Sequence, residues 1–395
     1  MPDEETSVTK PFTDAVREAE GVVASAPHVV SERDLLEGYD YLAGSIRAAL
    51  QAAWSHDSER PRFIRSATPY TKVGLDNPDT LYFSARIQDD AEYVVSGTRG
   101  TTTDLSFQIM NGDYSPSQAP DSLAAFDDRE FSIAEDGRYE LTFGPAKANA
   151  GPNHFTLGPS AAMLLVREVF SDWEKERPGT IRIRRADTTG SAPPSTTTDA
   201  LARSYKRAGK ILVGQLKTFL AFPEWFYLNL PVNTLTEPRL TPGGLTTQYS
   251  AVGHYELNDD QAMLVTVPAS DAPYQGIQLG SMWYISMDFI NHQTSLTSNQ
   301  ARIDADGKIR FVISERNPGL ANWLECTGHR RGYIQIRWQR VSRKFTPADG
   351  PEVEIVAFDD LAASLPNYDE ARVTTQEWSA RIAARQAAVA ARMLG

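Results

Sequence analysis

Hydrophobic positions along this chain follow two different periods, one typical of helices and one typical of strands. Apolar residues at three- and four-residue spacing predict amphipathic helices at 31–54, 160–177, 199–219 and Thr375–Met393. Ser31 is the expected N-cap of the first helix, because Asp34 stands three residues later and can complete a capping box. Asp199 is the expected cap of the third helix.

Short runs rich in β-branched and aromatic residues, separated by turn residues, predict strands in two regions. The first region has candidates at 80–87, 93–97, 105–110, 130–133 and 138–143. The second has candidates at 248–257, 263–267, 283–289, 309–314 and 333–339. Two Asp-Gly pairs, ending in Gly137 and Gly307, predict tight turns because glycine accepts a positive φ.

These elements predict a mainly β protein with helical additions. The strands are not spaced by regular helices, which favours antiparallel sandwiches over a doubly wound parallel sheet. The predicted order is a polar leader at 1–30, an N-terminal helix with a smaller β region at 31–158, a helical linker pair at 159–225, a jelly-roll-like antiparallel β-sandwich at 226–345, and a C-terminal extension and helix at 346–395.

Charge and cysteine content narrow the class of protein. The 395 residues include 39 Lys or Arg and 51 Asp or Glu, a net charge of −12, which disfavours binding to nucleic acid or to an anionic membrane surface. Cys326 is the only cysteine, and no apolar run is long enough to span a bilayer. We therefore expect a cytoplasmic protein, and the amphipathic segment Thr375–Met393 makes a homodimer reasonable.

Familiar cofactor and nucleophile motifs are missing from the sequence. There is no GxGxxG, no GxxxxGK[ST], no GxSxG and no HExxH, and the six histidines are widely scattered. We therefore predict neither a cofactor nor a metal site, although scattered histidines can still converge in a β fold.

The densest polar segment is 70–82, where an Asp-Asn-Pro-Asp turn leads into an apolar strand. It carries a cation, a carboxylate, two phenols and an amide: Lys72, Asp79, Tyr70, Tyr82 and Asn77. An amine near an acid and a phenol is a plausible set for proton transfer. The alternative is that the segment only makes a well-formed strand entrance.

A second group of candidates lies between 283 and 338. It contains the possible catalysts His292 and His329 and the possible substrate-binding residues Asp288, Arg302, Asn322 and Trp323. Arg302 and Arg337 can clamp a carboxylate or lie in surface ion pairs. The alternative for each histidine is a satisfied structural residue, and for the Asn-Trp loop a packed corner of a sandwich.

At these residues the chain resembles the bacterial domain-of-unknown-function 1214 family, over roughly residues 60–340. The early match is Lys72-x-Gly74-x-Asp76-Asn77-Pro78-Asp79-x-x-Tyr82. The more specific late match is Asp288…His292-Gln293…Arg302…Asn322-Trp323…Gly328-His329…Gly332…Arg337-Trp338. The resemblance, which extends distantly to the domain-of-unknown-function 1254 proteins, implies a jelly-roll-like C-terminal sandwich and substrates of aromatic, terpenoid or steroid-like character.

The resulting functional hypothesis is a cofactor-independent catabolic lyase that acts on a small hydrophobic or aromatic compound, such as a lignin-derived one. Lys72, Asp79 or His292 would remove a proton, and Tyr70, Tyr82 or His329 would protonate the leaving oxygen. For a phenolic substrate, the elimination would pass through a quinone-methide-like intermediate. One alternative is a non-catalytic glycan- or apolar-ligand-binding sandwich. Another is a glycoside-active enzyme with paired carboxylates, Asp288 and Glu315.

Overall fold

The computed structural model describes residues 7–112, 120–240 and 248–393. Its helices are α1 (Lys10–Ala24), α2 (Glu32–Trp54), α3 (Thr198–Phe226), α4 (Leu361–Ser364) and α5 (Thr375–Met393). The strands of the first half are β1 (Ile64–Ala67), β2 (Thr80–Arg86), β3 (Tyr93–Thr98), β4 (Asp104–Met110), β5 (Ser122–Asp127), β6 (Arg138–Gly144), β7 (His154–Thr156), β8 (Met163–Val169) and β9 (Thr180–Arg185). Those of the second half are β10 (Thr234–Leu235), β11 (Arg239–Leu240), β12 (Tyr249–Glu256), β13 (Gln261–Pro268), β14 (Tyr274–Gly280), β15 (Ser295–Thr297), β16 (Lys308–Ser314), β17 (Trp323–Glu325), β18 (Arg331–Gln339) and β19 (Glu352–Ala357).

The first-half strands form two sheets that share one core. Sheet A has the order β1-β2-β8-β4-β5, and sheet B has the order β7-β6-β3-β9. Phe107 and Val166 of sheet A and Val95 and Leu141 of sheet B meet in one buried cluster. The alternation of side chains along each strand puts these residues inward and leaves the other face of sheet A for a second set of contacts.

The second-half strands form a second sandwich. Sheet C has the order β10-β12-β18-β14-β15, with β11 also paired to β12, and sheet D has the order β17-β16-β13-β19. Ile334, Ile336 and Trp338 of β18 point into the core against Val265 and Phe311 of sheet D. The intervening residues of β18 therefore face away from this core, toward sheet A.

Three helices pack beside the two sandwiches. Helices α1, α2 and α3 share a core that includes Leu42, Leu212 and Trp283. Ser31 caps α2, and the reciprocal bonds with Asp34 complete the predicted capping box. Gly38 of α2 lies against the indole of Trp283, where a Cβ atom would come within 2.2 Å of the ring. This contact fixes α2 against the second sandwich.

The prediction of a mainly β fold with helical additions is confirmed. Helices α2 and α5 and the strands β2, β3, β4, β6, β12, β13, β16 and β18 lie where the sequence places them, within a few residues. The turns at Gly137 and Gly307 have φ of 81° and 76°, as the Asp-Gly pairs predict. The C-terminal extension contributes β19, which pairs with β13, so the second sandwich continues past residue 345.

Five local predictions are wrong. Helix α3 is capped by Thr197, whose side chain accepts the Ala200 N–H, and not by Asp199. The segment 160–177 forms the strand β8 rather than a helix, so no helical pair joins the β regions. The segment 283–289 is a buried loop in which Tyr284 has a φ of 58°, and 130–133 follows the strand β5 without being one. The polar leader at 1–30 contains helix α1, because Phe12, Ala19 and Val23 form a buried stripe on it.

Candidate functional site: a cavity between the two sandwiches

A cavity of about 580 Å³ lies between sheet A and sheet C and is closed by α2 and the C-terminal end of α3. Its volume falls within the roughly 300–1,000 Å³ that is usual for small-molecule sites. Sheet A contributes side chains from β1, β2 and β8, and sheet C contributes side chains from β12 and β18. Sheets A and C each face the cavity with the side that does not pack into the core of their own sandwich. The cavity is therefore the obvious place for a ligand.

The sheet C wall is a row of polar side chains on β18. Gln335, Arg337 and Gln339 alternate with the core residues of that strand and line the cavity. The Arg337 guanidinium donates to the Leu75 carbonyl at 2.9 Å and to Oε1 of Gln278, both neutral acceptors. The guanidinium is therefore hydrogen-bonded without being neutralised by these two partners.

The loop at 72–79 forms a second wall and joins the two sandwiches. The backbone N–H of Leu75 donates to the carbonyl of Tyr284 at 2.6 Å, and both residues line the cavity. Leu75 and Tyr284 have φ of 51° and 58°, a conformation that costs an ordinary side chain about 1–3 kcal/mol. Such strained residues cluster at functional sites, and here two of them meet at one cavity wall.

Asp76 is the one carboxylate among the described residues that line the cavity. Its oxygens accept hydrogen bonds from the Ser286 backbone N–H at 3.1 Å and from the Ser286 hydroxyl at 2.8 Å. Burial raises the pKa of this carboxyl, and the nearby Lys72 ammonium opposes the rise. A carboxyl group with a raised pKa is better suited to accept and return a proton near neutral pH.

Tyr82 extends from β2 into the same cavity. Its phenol oxygen accepts the backbone N–H of Asn77 at 3.0 Å. The phenol proton has no acceptor among the residues that the structure describes, so a ligand can take that hydrogen bond. Arg167 lies directly across from Tyr82 in the ladder between β2 and β8 and also lines the cavity.

The remaining lining is aromatic and basic. Six aromatic side chains line the cavity near the end of α3 and the loop at 281–287: Phe219, Phe222, Trp225, Phe226, Tyr227 and Tyr284. Five arginines line it: Arg65, Arg86, Arg167, Arg239 and Arg337. In a chain with a net charge of −12, the charged side chains at this cavity are mostly cationic.

Two of the sequence-predicted site residues, Asn77 and Tyr82, line the cavity. Lys72 and Asp79 lie beside it, in the joint between the sandwiches. The Lys72 ammonium donates to the carbonyls of Ser286 and Met287 at 2.6 and 3.0 Å, and burial lowers its pKa. Asp79 accepts hydrogen bonds from the Tyr274 hydroxyl and the Trp173 indole, so both groups bind other parts of the protein. Tyr70 is 60% exposed and lies outside the cavity.

The two predicted histidines lie elsewhere, each paired with a glutamate. Nδ1 of His292 lies 2.9 Å from Glu325, and the imidazole is 43% exposed. Nε2 of His329 lies 3.1 Å from Glu37 of α2, and its Nδ1 lies 3.0 Å from the Cys326 carbonyl. Neither histidine lines the cavity, so neither shares it with Asn77 and Tyr82.

The remaining predicted residues make contacts within the protein, away from the cavity. The Asn322 side chain forms a closed pair with the backbone of Arg302, whose guanidinium also reaches Glu370 at 2.8 Å. Trp323, the first residue of β17, packs at a tilt against Trp378 of α5 with ring centroids 4.9 Å apart, and it donates its indole N–H to the Ser314 carbonyl. Asp288 caps its own turn through the N–H groups of 290 and 291. None of these side chains, nor Glu315, lines the cavity.

Sequence reasoning missed most of the polar cavity wall. Asp76 lies inside the motif at 72–82 but is not among the predicted site residues, and the sequence leaves Arg337 as either a carboxylate clamp or a member of a surface ion pair. Gln335 and Gln339 carried one usable signal, the polar/apolar alternation of their strand. That signal does not distinguish a face turned to solvent from a face turned to a cavity.

Within the described part of the chain, no group of three or more His, Cys, Asp or Glu side chains has the arrangement of a metal site. No helix among the described residues combines the length and the apolar character needed to cross a membrane.

The chain is similar in structure to solved proteins from bacteria. An uncharacterized protein from Burkholderia cenocepacia aligns over 90% of this chain and 98% of its own, at 28% identity and a TM-score of 0.80. A protein from Vibrio parahaemolyticus aligns over 87% of this chain and 100% of its own, at 12% identity, and its TM-score of 0.46 is too low to support an argument. No protein-family profile and no curated protein matches the sequence. The likeness to the Burkholderia protein supports the fold and carries no activity with it.

Proposed function

We propose that this protein is a catabolic lyase that binds a small hydrophobic or aromatic molecule in the cavity between sheets A and C. The observation that carries the proposal is the composition of one cavity. It combines an aromatic wall, a buried carboxyl group whose pKa is raised, and a phenol whose proton is available to a ligand. Such a pair can act as general base and general acid on one substrate.

In the proposed reaction, Asp76 removes a proton from a carbon of the substrate, and the electrons of that C–H bond form a new double bond. The adjacent C–O bond breaks, and its electron pair leaves with the oxygen, which takes the proton of Tyr82. A proton is later returned from Asp76 to Tyr82 through solvent, so the enzyme ends unchanged. For a phenolic substrate, the same groups can support elimination through a quinone-methide-like intermediate.

The test is turnover of a panel of lignin-derived phenols, terpenoids and steroid-like compounds, with products identified by mass spectrometry. Tyr82→Phe and Asp76→Asn should each lower kcat at least about 100-fold, the usual size of an acid–base contribution. Thermal unfolding shows whether each variant is folded. Tyr39→Phe, a change at a phenol on α2 that is outside the cavity, is the matched control. Rates near wild type in both cavity variants would refute the assignment.

A second candidate, a non-catalytic ligand-binding protein, is favoured by one observation. Lys72 and Asp79, the predicted proton-transfer groups, are held in the joint between the sandwiches by Ser286, Tyr274 and Trp173. If the cavity only binds its ligand, binding should be saturable and the compound should be recovered chemically unchanged. Appearance of a product that depends on Tyr82 would exclude this candidate.

A further inference from the structure

We infer that the ligand of this cavity is an organic anion, with its carboxylate bound by Arg337 and Gln339 of β18 and its apolar body against the aromatic wall. The inference rests on the proposed function in one respect, that the cavity is the ligand site. It adds the substrate class, which acid–base chemistry alone does not define. The sequence makes Arg337, like Arg302, a candidate carboxylate clamp or a member of a surface ion pair.

Arg337 is a buried cation with unused hydrogen-bonding capacity. Its side chain is on the cavity wall, and only 9% of the residue is exposed. Two of its five N–H donors bind neutral acceptors, the Leu75 carbonyl and Oε1 of Gln278. Among the described residues it forms no ion pair, so a bound carboxylate would supply the negative charge that the protein does not.

Gln339 is a second, independent indication of a polar ligand. It lies two residues after Arg337 on the same face of β18, lines the cavity and is 3% exposed. Its buried Oε1 atom has no hydrogen-bond partner in the described part of the chain. The Nε2 atom of the same amide is a donor that suits a carboxylate oxygen.

One neighbouring polar group of β18 is already bound to the protein. Oε1 of Gln335 accepts the hydroxyl of Tyr227 at 3.2 Å, which anchors that amide beside Arg337. The aromatic wall begins with Tyr227 itself and continues through Tyr284 and Phe222, whose rings lie 5.4 Å apart. A ligand with one carboxylate and an aromatic or alicyclic body therefore matches both parts of the cavity.

The test compares a carboxylate with its neutral isostere in calorimetric titrations of the full chain. We expect 2-naphthoate to bind at least ten-fold more tightly than 2-naphthamide. Arg337→Gln should weaken binding of the acid by about ten- to hundred-fold, because a charge-assisted hydrogen bond is lost. The same variant should leave binding of the amide within about three-fold. Arg184→Gln, at an exposed position of β9, is the control and should change neither affinity.

Arg337 also donates a hydrogen bond to the Leu75 carbonyl, so Arg337→Gln could weaken binding by destabilising the protein. A second variant tests the same inference without removing that contact. Gln339→Leu removes a buried amide of similar size, so its melting temperature should equal or exceed that of the wild type. We expect it to weaken binding of the acid about three- to ten-fold with little effect on the amide. Equal affinity of the two ligands for the wild type, equal losses for both ligands in the variants, or no saturable binding of 2-naphthoate would overturn the inference.

These outcomes are separate from those that test the lyase. Turnover of neutral compounds, with no preference for acids in binding, would overturn the anion inference and leave the lyase proposal standing. Selective binding of acids that are always recovered unchanged would support the anion inference and overturn the lyase proposal.

Discussion

Asp79 gives the clearest test of whether the segment 70–82 is structural or catalytic at that position. The residue is 1% exposed and accepts hydrogen bonds from the Tyr274 hydroxyl at 2.7 Å and from the Trp173 indole at 2.8 Å. Two buried arginines of α5, Arg385 and Arg392, interact with its charge. The Arg392 guanidinium lies 3.8 Å from the centroid of the Trp173 ring.

Replacement of Asp79 by alanine removes one partner from each of these interactions. An unpaired buried hydroxyl or indole N–H costs about 1–3 kcal/mol. Both groups share one site and their costs do not simply add, so we expect a loss of about 2–4 kcal/mol in the free energy of unfolding. That is a large part of the roughly 5–15 kcal/mol that holds a typical protein folded. Asp79→Asn keeps one acceptor oxygen and should cost less.

The measurement is urea unfolding followed by tryptophan fluorescence and by circular dichroism, analysed at the first transition. Asp259→Ala is the control, because that carboxylate is 63% exposed and pairs with Arg330 on the surface. A surface pair contributes about 0–1 kcal/mol, so the control should remain close to wild type. A loss below about 1 kcal/mol for Asp79→Ala would refute the structural role that the contacts indicate.

The remaining predictions concern stability in and around α2. Gly38→Ala should destabilise the protein by about 1–3 kcal/mol, because the new methyl group meets the Trp283 ring. In Gly214→Ala, in α3, the new methyl group meets nothing within 4 Å, so this change should stabilise the protein by about 0.5–1 kcal/mol. Differential scanning calorimetry should show melting temperatures that move in opposite directions. Ser31→Ala removes the N-cap of α2 and should cost about 1 kcal/mol in urea unfolding. Burial lowers the pKa of His28 to about 4, so between pH 6.5 and 4 the unfolded chain binds a proton that the native protein does not. The free energy of unfolding should therefore fall as pH falls through that window, and His28→Gln should reduce the fall by up to about 3 kcal/mol when unfolding is compared at pH 7 and pH 4.5.

Local sequence signals predict that α2 forms, but they do not predict which of its faces packs against the protein. The capping box and the apolar spacing predict a helix over 31–54, and α2 occupies nearly that range. Leu36 and Trp54 belong to the apolar spacing that predicts this helix, yet they are 62% and 48% exposed. The packed face instead contains Gly38, because the indole of Trp283 approaches the helix too closely for a larger residue. A contact between such distant positions leaves no trace in local periodicity.

The strand β8 shows how burial on both faces conceals a strand. Leu164 and Val166 point into the core of the first sandwich, while Met163 and Leu165 line the cavity. Apolar residues on both faces remove the alternation that normally indicates a strand, and the remaining pattern fits a helix equally well. The strand was mistaken for a helix because its second face lines a cavity that local sequence cannot indicate.

The same reasoning explains how much of the site was predictable. The motif around Asn77 and Tyr82 was identified from turn chemistry and polar density, and both residues line the cavity. Arg337 and Gln339 belong to an alternating strand whose polar face would ordinarily meet solvent. Only the packing of sheet A opposite sheet C turns that face into the wall of a cavity. The histidines stood out because of their pKa range alone, which carries no positional information.

The loop at 72–79 has two roles, and this determines which variants can report on function. Its backbone carbonyls accept hydrogen bonds from Arg337 and Gln278 of sheet C. Its Asp76 and Asn77 side chains form hydrogen bonds with Ser286 and Tyr274. A change at Lys72, Asp76 or Asp79 would therefore perturb this joint as well as any chemistry, so a loss of activity in Asp76→Asn counts as catalytic only when Tyr82→Phe shows the same loss. Tyr82 belongs to β2, beyond the loop, and its phenol contributes one acceptor to that network while its proton is available to the cavity. Removal of that hydroxyl is the smallest change that separates chemistry at the site from the integrity of the joint.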